Sequence, residues 1–226
     1  MNICAIIKNE PIYYLKEWLD YHLEIADRIY IYDNGCNISN EILRTYMSRV
    51  NINPFPGDVA QIRAYEYHCS HHPSDITLFI DADEFFVPQN KIKYLEKRCT
   101  DYGALGFNWQ MFGSSGLIEA TEASQRIKFT KKLPLSNPVC RHIKTMVNTS
   151  NVNRWLNPHQ VELKQGTYDR PVVNGQNPDY ADHFGYIEHY YCRSREDFAN
   201  KIERGRADTV TSYDWRMFDA INKEAI

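Results

Sequence analysis

Residues 76–84 read Ile-Thr-Leu-Phe-Ile-Asp-Ala-Asp-Glu, and this stretch does most to decide the fold. Its first five residues are apolar or β-branched, as in a strand that is buried on both faces of a parallel sheet. Asp81 and Asp83 follow directly. Side chains alternate along an extended chain, so these carboxylates are predicted to point to one side and Ala82 to the other. We therefore expect an acidic pair at the carboxyl end of a buried strand.

Earlier parts of the chain repeat an alternation of apolar strands and amphipathic helices. Strands are predicted at residues 2–7, 28–32 and 50–53, and helices at residues 12–25, from Ser39 to about Ser48, and from Asp58 to about His71. Strands that alternate with helices in this way form right-handed βαβ units. The predicted fold class is therefore α/β, with a Rossmann-like, mainly parallel sheet flanked by helices.

Polar residues follow three of these predicted strands: Asn9 and Glu10, then Asp33 and Asn34, then Asp81 and Asp83. Ligands of open α/β sheets bind beyond the carboxyl ends of the strands, so the three clusters are expected to line one crevice. The first two clusters also have simpler explanations. Asn9 and Glu10 can cap a helix, and Asp33 and Asn34 belong to a common turn sequence.

The second half of the chain has a less regular pattern. A strand is predicted at residues 104–109 and another at 188–191, and residues 130–180 look like loops with short β additions. Ser194 opens a Ser-Arg-Glu-Asp sequence, which resembles a capping box and predicts a helix from Arg195 to about Arg206. Residues 207–226 also look helical. No repeat or linker divides the 226 residues, so one domain is expected.

Composition excludes several classes of protein. The formal net charge is −3, which argues against a broad basic surface for nucleic acid. No run approaches the roughly 18 apolar residues of a membrane span, and the chain begins with a strand pattern rather than a signal peptide. The 6 cysteines are scattered singly. We expect a cytoplasmic protein with no transmembrane segment.

The Asp-Ala-Asp sequence suits a divalent metal. Carboxylate oxygens are the ligands that Mg²⁺ and Mn²⁺ prefer, and such an ion can neutralise a departing diphosphate. A motif this short also occurs by chance in solvated loops. His189 could complete the metal coordination or be an ordinary core histidine. Lys201 and Arg204 share one helix face and could bind a diphosphate or simply face solvent.

A longer set of residues, in order along most of the chain, resembles the family 92 glycosyltransferases. The bacterial relatives of that family are similar to family 2 enzymes with a GT-A fold. The residues that carry the resemblance are Ile7-Lys8-Asn9-Glu10, Glu17-Trp18-Leu19-Asp20-Tyr21-His22, Ile31-Tyr32-Asp33-Asn34, Pro54-Phe55-Pro56-Gly57, Gln61, Ala64-Tyr65, His68-Cys69, Phe79-Ile80-Asp81-Ala82-Asp83-Glu84-Phe85, Trp109, Phe112-Gly113-Ser114-Ser115-Gly116, His189-Tyr190, Ser194, Glu196, Phe198, Lys201 and Arg204-Gly205. Cys36 departs from the pattern, in which serine is commoner.

The resemblance implies a single GT-A domain. Residues 1–100 would form its nucleotide-binding half and residues 101–226 its acceptor-side half. Asp33 would hold the nucleotide base, and the remaining roles fall on residues from both halves. The implied nucleotide-binding residues are Asn9, Glu10, Asp33, Asn34, Gln61, Asp81 and Lys201, and the implied ligands of Mn²⁺ or Mg²⁺ are Asp81, Asp83 and His189.

The expected function is that of a metal-dependent, inverting glycosyltransferase. By resemblance, it would move galactose or a related hexose from a UDP-sugar to a glycan or lipid-linked saccharide in polysaccharide biosynthesis, with a peripheral contact at the inner face of the membrane. The general base stays open among Glu119, Glu122, His159, Asp169, Asp182 and His183. The alternatives are a metal-dependent nucleotidyltransferase and a non-catalytic carbohydrate-binding protein on the same fold.

Overall fold

The structure is a computed structural model that describes residues 1–36, 38 and 44–226. Its strands are β1 Asn2–Ile7, β2 Arg28–Asp33, β3 Val50–Pro54, β4 Ile76–Phe79, β5 Glu84–Pro88, β6 Gly103–Met111, β7 Ile143–Asn148, β8 Val152–Asn157, β9 Gln160–Leu163, β10 Thr167–Tyr168 and β11 Gly185–His189. Its helices are α1 Ile12–Leu23, α2 Gln61–His71, α3 Ile92–Tyr102, α4 Gln125–Lys128, α5 Arg195–Arg204 and α6 Trp215–Glu224. Short 3₁₀ turns span Pro138–Arg141 and Thr149–Asn151.

The main sheet has the strand order β3-β2-β1-β4-β7-β6-β11-β5, and β10 pairs with β6. Strands β1 to β4 are mutually parallel. β7 is antiparallel to both of its neighbours, and β11 is parallel to β6 but antiparallel to β5. The α/β class is thus confirmed, but the sheet is mixed. Helices α1 and α2 lie in crossovers between the parallel strands of the first half.

Helix α1 covers one face of this sheet because its apolar residues lie on one side. Leu15, Trp18 and Leu19 are fully buried, at the three- and four-residue spacing of a helical stripe. The indole nitrogen of Trp18 donates a 2.7 Å hydrogen bond to the carbonyl of Glu84. The helix is thereby fixed against the start of β5, directly beside the acidic sequence.

The second, smaller sheet is the hairpin of β8 and β9. Trp155 of this hairpin packs on Tyr65 of α2 and on Phe79 of β4, with ring centroids 4.9 and 4.7 Å away. This aromatic contact holds the hairpin over the opposite face of the sheet from α1. It also brings the turn at residues 158–159 to the carboxyl end of the strands.

Several predicted boundaries were wrong. Asp81 and Asp83 lie in the turn between β4 and β5 rather than on an extended strand, because the chain folds back and the Glu84 amide donates to the Asp81 carbonyl at 3.1 Å. Helix α2 begins at Gln61, not at Asp58, and residues 207–214 are not helical. The predicted helix start at Ser39 lies outside the described residues. Residues 44–46, which are described, are helical.

The capping box that the sequence predicts at Ser194 is present. The Ser194 hydroxyl accepts a hydrogen bond from the Asp197 amide at 3.0 Å, and the Asp197 carboxylate accepts one from the Ser194 amide at 3.2 Å. The pair satisfies two free amides at the start of α5 and fixes the direction of that helix. None of the described helices is long and apolar enough to cross a membrane.

Candidate functional site

A polar crevice lies at the carboxyl ends of β1 and β4. It is bordered by the turn after β4, the end of β11, helix α5, the β8–β9 turn and the chain that follows α5. Its cavity volume is about 110 Å³. The side chains that line it and could act on a ligand are Lys8, Glu10, Gln61, Asp81, Asp83, Trp109, His159, His189, Tyr191, Lys201, Arg204, Arg206, Asp208 and Tyr213.

Asp83 is held between a lysine and a histidine. Its Oδ2 is 2.6 Å from Nζ of Lys201, and its Oδ1 is 3.5 Å from Nε2 of His189. Burial opposes ionisation, but the Lys201 and His189 side chains keep the pKa of Asp83 well below its usual range. Burial lowers the pKa of His189, so this ring has a lone pair available for a metal or a proton. Strand β11 and helix α5 thus position His189 and Lys201 beside the turn after β4.

Asp81 is held by different partners. Its Oδ2 is 2.6 Å from Nζ of Lys144, and its Oδ1 accepts a 2.7 Å hydrogen bond from the Gln61 side chain. Lys144 stands fully buried on β7 and also lies 3.4 Å from Glu84. Burial raises the pKa of Glu84 to about 8 despite this lysine. Both carboxylate oxygens of Asp81 are therefore engaged by side chains from other elements.

Glu10 belongs to a buried arginine pair at the crevice wall. Its carboxylate is 2.8 Å from Nη1 of Arg193 and 2.7 Å from Nη2 of Arg204. Burial alone would raise the pKa of Glu10, but the Arg204 and Arg193 guanidinium groups lower it to about 2. The neighbouring Asn9 does not line the crevice. Its carbonyl accepts from Arg204 at 3.2 Å, and its backbone has a φ of 48°.

Asp33 and Asn34 lie at the same edge of the sheet but outside the crevice lining. The carboxylate of Asp33 accepts hydrogen bonds from the amides of Gly35 and Cys36, at 3.1 and 2.6 Å. The Asn34 side chain is buried and donates to the carbonyls of Phe55 and Gly57, both at 2.8 Å. Oδ1 of Asp33 is thus engaged by the chain that follows β2, and Asn34 fixes the loop after β3.

Two side chains of the crevice could ligate a metal ion. Within the described ranges no group of three or more His, Cys, Asp and Glu side chains is arranged to hold an ion. Oδ1 of Asp83 and Nε2 of His189 do face each other. Behind them, Nδ1 of His189 and Oε1 of Glu84 are buried, lack hydrogen bonds and lie 3.7 Å apart. A carboxylate behind a histidine is the usual second contact of a metal-bound imidazole, so these residues fit an ion whose other ligands come from substrate.

An aromatic wall stands opposite the carboxylates. The Trp109 ring centroid is 4.3 Å from that of His189 and 5.1 Å from that of His159, and one face of Trp109 stacks on His142. The Trp109 indole nitrogen is buried and has no hydrogen-bond partner among the described residues. Nδ1 of His159 is 2.9 Å from the Ile143 carbonyl. Burial, with Lys144 and His142 close by, lowers the pKa of His159 well below its usual value.

The chain after α5 runs across the mouth of the crevice. The Ala207 carbonyl accepts a hydrogen bond from the backbone amide of Gln61 at 3.0 Å. The Arg206 carbonyl accepts one from the Lys8 ammonium at 3.3 Å. Arg206 pairs with Asp208 at 2.6 Å. The segment 205–213 therefore forms one wall of the crevice and limits its volume.

Sequence reasoning missed two charged residues of this site, Lys144 and Arg193. Each is a basic residue in an otherwise apolar or aromatic neighbourhood, Lys144 between Ile143 and Met146 and Arg193 after Cys192. A buried cation needs an anionic partner, so such positions point to a carboxylate elsewhere in the chain. Of the six residues considered as general bases, His159 lines the crevice, and the other five are outside the lining.

No protein-family model matches this chain, and the comparison with curated proteins gives no match either. The function is therefore argued from the geometry of the crevice together with the residues that carry the family resemblance.

Proposed function

We propose that the protein is a metal-dependent, inverting glycosyltransferase of the GT-A type that uses a UDP-sugar as its donor. The observation that carries the proposal is the Asp83–His189 pair, 3.5 Å apart at the carboxyl edge of an α/β sheet and beside the Lys201 ammonium. A carboxylate and a neutral imidazole suit an ion such as Mn²⁺. Transfer from a nucleoside diphosphate sugar releases a diphosphate, whose negative charge such an ion beside basic groups can neutralise.

Different residues of the crevice would contact different parts of the donor. Asp83 and His189 would hold Mn²⁺ or Mg²⁺, which when bound neutralises the leaving diphosphate. Lys8 and Arg204 border the same space and would contact phosphate oxygens. Asp81 and Gln61 form a fixed hydrogen-bonded pair suited to ribose hydroxyls, and Asp33 would accept from the uracil ring.

We expect the donor to bind with movement of one crevice wall. A volume of about 110 Å³ is well below the roughly 300 Å³ at which ligand pockets of small molecules begin. The segment 205–213 is one such wall: its backbone is held by the amide of Gln61 and the side chain of Lys8, and Tyr213 packs on Tyr191. Displacement of this segment would admit the donor, and its return would exclude water from the reacting carbon.

The proposal also includes a binding site for the acceptor. A glycan or lipid-linked saccharide would approach along the aromatic wall of Trp109, since aromatic rings suit the apolar faces of sugars. Galactose or a related hexose as the transferred sugar, a place in polysaccharide biosynthesis, and a cytoplasmic protein with peripheral membrane contact follow from the family resemblance.

A thermal-shift titration tests the donor site. The wild type is melted with UDP, UDP-galactose and other nucleotides at 1 mM, with and without Mn²⁺. A ligand that binds only the native state raises the melting temperature, by about 2.7 kcal/mol of stability at 100 times Kd. We expect UDP and Mn²⁺ to act together and Mn²⁺ alone to act weakly, because the described chain supplies two ligands. Asp83→Asn should abolish this joint effect.

Two controls separate the alternatives. Asp101→Asn removes an exposed carboxylate far from the crevice and should melt with UDP and Mn²⁺ as the wild type does. Release of pyrophosphate from UTP would instead identify a nucleotidyltransferase. Nucleotide binding without turnover of any UDP-sugar would identify a binding protein. If no nucleoside diphosphate shifts the melting temperature in the presence of metal, the proposal is wrong.

A further inference from the structure

The β8–β9 turn carries a histidine that no part of the donor site uses. His159 follows Pro158 in this turn, and its amide donates a 2.8 Å hydrogen bond to the side chain of Asn157. Trp155 anchors the same hairpin on the sheet through Phe79. The histidine is therefore held by a packed hairpin rather than by a free loop, and its ring borders the crevice.

The hydrogen bond of the His159 ring fixes which of its nitrogens can act as an acceptor. Nδ1 of His159 lies 2.9 Å from the carbonyl of Ile143, and a carbonyl only accepts, so Nδ1 carries the proton. In the part of the chain that the structure describes, Nε2 makes no hydrogen bond. A neutral imidazole in this tautomer has its free lone pair on Nε2, as a general base requires.

Trp109 contacts both histidines, with ring centroids 4.3 Å from His189 and 5.1 Å from His159. All three side chains line the same crevice as Asp83. The proposed metal-binding edge and His159 therefore border one space, in which the reacting sugar would lie. The indole nitrogen of Trp109 is buried and has no hydrogen-bond partner among the described residues, so the ring rather than this N–H is the part of Trp109 that would contact a sugar.

The other five residues considered as bases do not meet these conditions. Glu119, Glu122, Asp182 and His183 are exposed and do not line the crevice. Asp169 is committed to structure: its carboxylate accepts from the Gly106 amide at 2.9 Å and pairs with Arg170 at 2.9 Å.

We propose that His159 is the general base of the transfer reaction and that Trp109 forms the acceptor subsite with it. This inference rests on the proposed glycosyltransferase function. The acceptor oxygen attacks the anomeric carbon, and its proton passes to Nε2 of His159. The bond between the anomeric carbon and the phosphate oxygen breaks, and UDP leaves with the electron pair. The donor sugar is thereby inverted at that carbon.

The test uses water and azide as probes, because the acceptor is unidentified. Release of UDP from UDP-galactose and a panel of other UDP-sugars is measured with Mn²⁺ for the wild type and His159→Ala. Water must lose a proton when it attacks, whereas azide attacks without losing one. We expect His159→Ala to bind UDP like the wild type, to release UDP about 10²- to 10⁴-fold more slowly in water, and to recover with azide by forming an inverted glycosyl azide.

Two further variants serve as controls. His159→Asn keeps a side-chain N–H for the Ile143 carbonyl but has no basic nitrogen, so it should fold even if the alanine variant does not and should show the same defect. His183→Ala removes an exposed histidine outside the crevice and should react like the wild type.

Each remaining outcome overturns a defined claim. Wild-type rates in the His159 variants, or a slow rate that azide does not restore while UDP still binds, would refute His159 as the base. If the wild type itself neither binds UDP nor releases it from any UDP-sugar, the proposed function fails, and the role of His159 fails with it.

Discussion

Replacement of Lys144 by methionine is expected to destabilise the protein and to weaken nucleotide binding together. Lys144 is fully buried on β7, 2.6 Å from Asp81 and 3.4 Å from Glu84. Methionine keeps the length and apolar stem of lysine, so packing is largely retained while the charge is lost. The Asp81 carboxylate is then left with Gln61 as its remaining side-chain partner.

The size of the effect follows from how much charge stays uncompensated. Removing one partner of a fully buried ion pair costs about 3–5 kcal/mol. Glu84, with its pKa raised to about 8 by burial, is largely protonated at pH 7 and adds little. The Asp81 side chain is 31% exposed and keeps some contact with water. We therefore expect the lower end, about 3 kcal/mol.

Urea denaturation at pH 7 measures this loss. For a chain of this length it corresponds to a midpoint about 1 M lower and a melting temperature about 6–12 °C lower. Lys131→Met, at an exposed lysine, should change the midpoint by much less. A Lys144→Met midpoint within about 0.2 M of that control would show that the buried pair contributes nothing net. UDP affinity that is unchanged in this variant would show that Asp81 does not depend on Lys144 for its position.

Three other perturbations test separate parts of the structure. Burial lowers the pKa of His22 to about 3 from 6.5. The stabilisation of the fold by the neutral side chain is therefore complete above pH 6.5. As pH falls from there toward 3, the free energy of unfolding declines by about 1.4 kcal/mol per pH unit. His22→Gln should remove that slope from urea midpoints at pH 7, 6 and 5, and an unchanged slope would contradict the assignment. Lys8→Met should weaken UDP binding about tenfold without lowering stability, more at 50 mM than at 300 mM salt, as measured by calorimetry. An affinity that does not depend on Lys8 would exclude its phosphate contact. Tyr14→Phe removes the buried 2.7 Å hydrogen bond to Asp197 and should cost about 1.5–3 kcal/mol of unfolding free energy, whereas the exposed Tyr94→Phe should cost almost none.

The first half of the fold could be predicted because its signals are local. The apolar run at residues 2–7 and the stripe of Leu15, Trp18 and Leu19 each specify an element without reference to the rest of the chain. Ser194 and Asp197 specify a helix start in the same way. Parallel pairing of β1, β2 and β4 then follows from the helices between them.

The missed features depend on contacts between distant parts of the chain. Strand β5 begins at Glu84, a charged residue that local pattern assigns to a loop, and it is stabilised by pairing with β11 more than ninety residues later. The antiparallel position of β7 between β4 and β6 likewise has no local signature. Because β7 lies there, Lys144 reaches Asp81, and no spacing rule connects those two residues.

The charges of the crevice explain why a divalent ion belongs to the proposal. Behind the lining, Lys144 and Arg193 pair with Asp81 and Glu10. The lining itself contains the cations Lys8, Lys201, Arg204 and Arg206 and the anions Glu10, Asp81, Asp83 and Asp208. Three of these cations are each paired with a carboxylate of the same lining, at 2.6 to 2.7 Å.

Lys8 remains without an ion pair in the described part of the chain. Under the proposed function, the leaving diphosphate carries at least two negative charges, more than Lys8 alone offsets. A divalent ion would supply further positive charge. Asp83 and His189 would hold such an ion weakly until phosphate oxygens join them. Metal and nucleotide binding should accordingly be reciprocal, with each ligand raising the affinity for the other by the same factor.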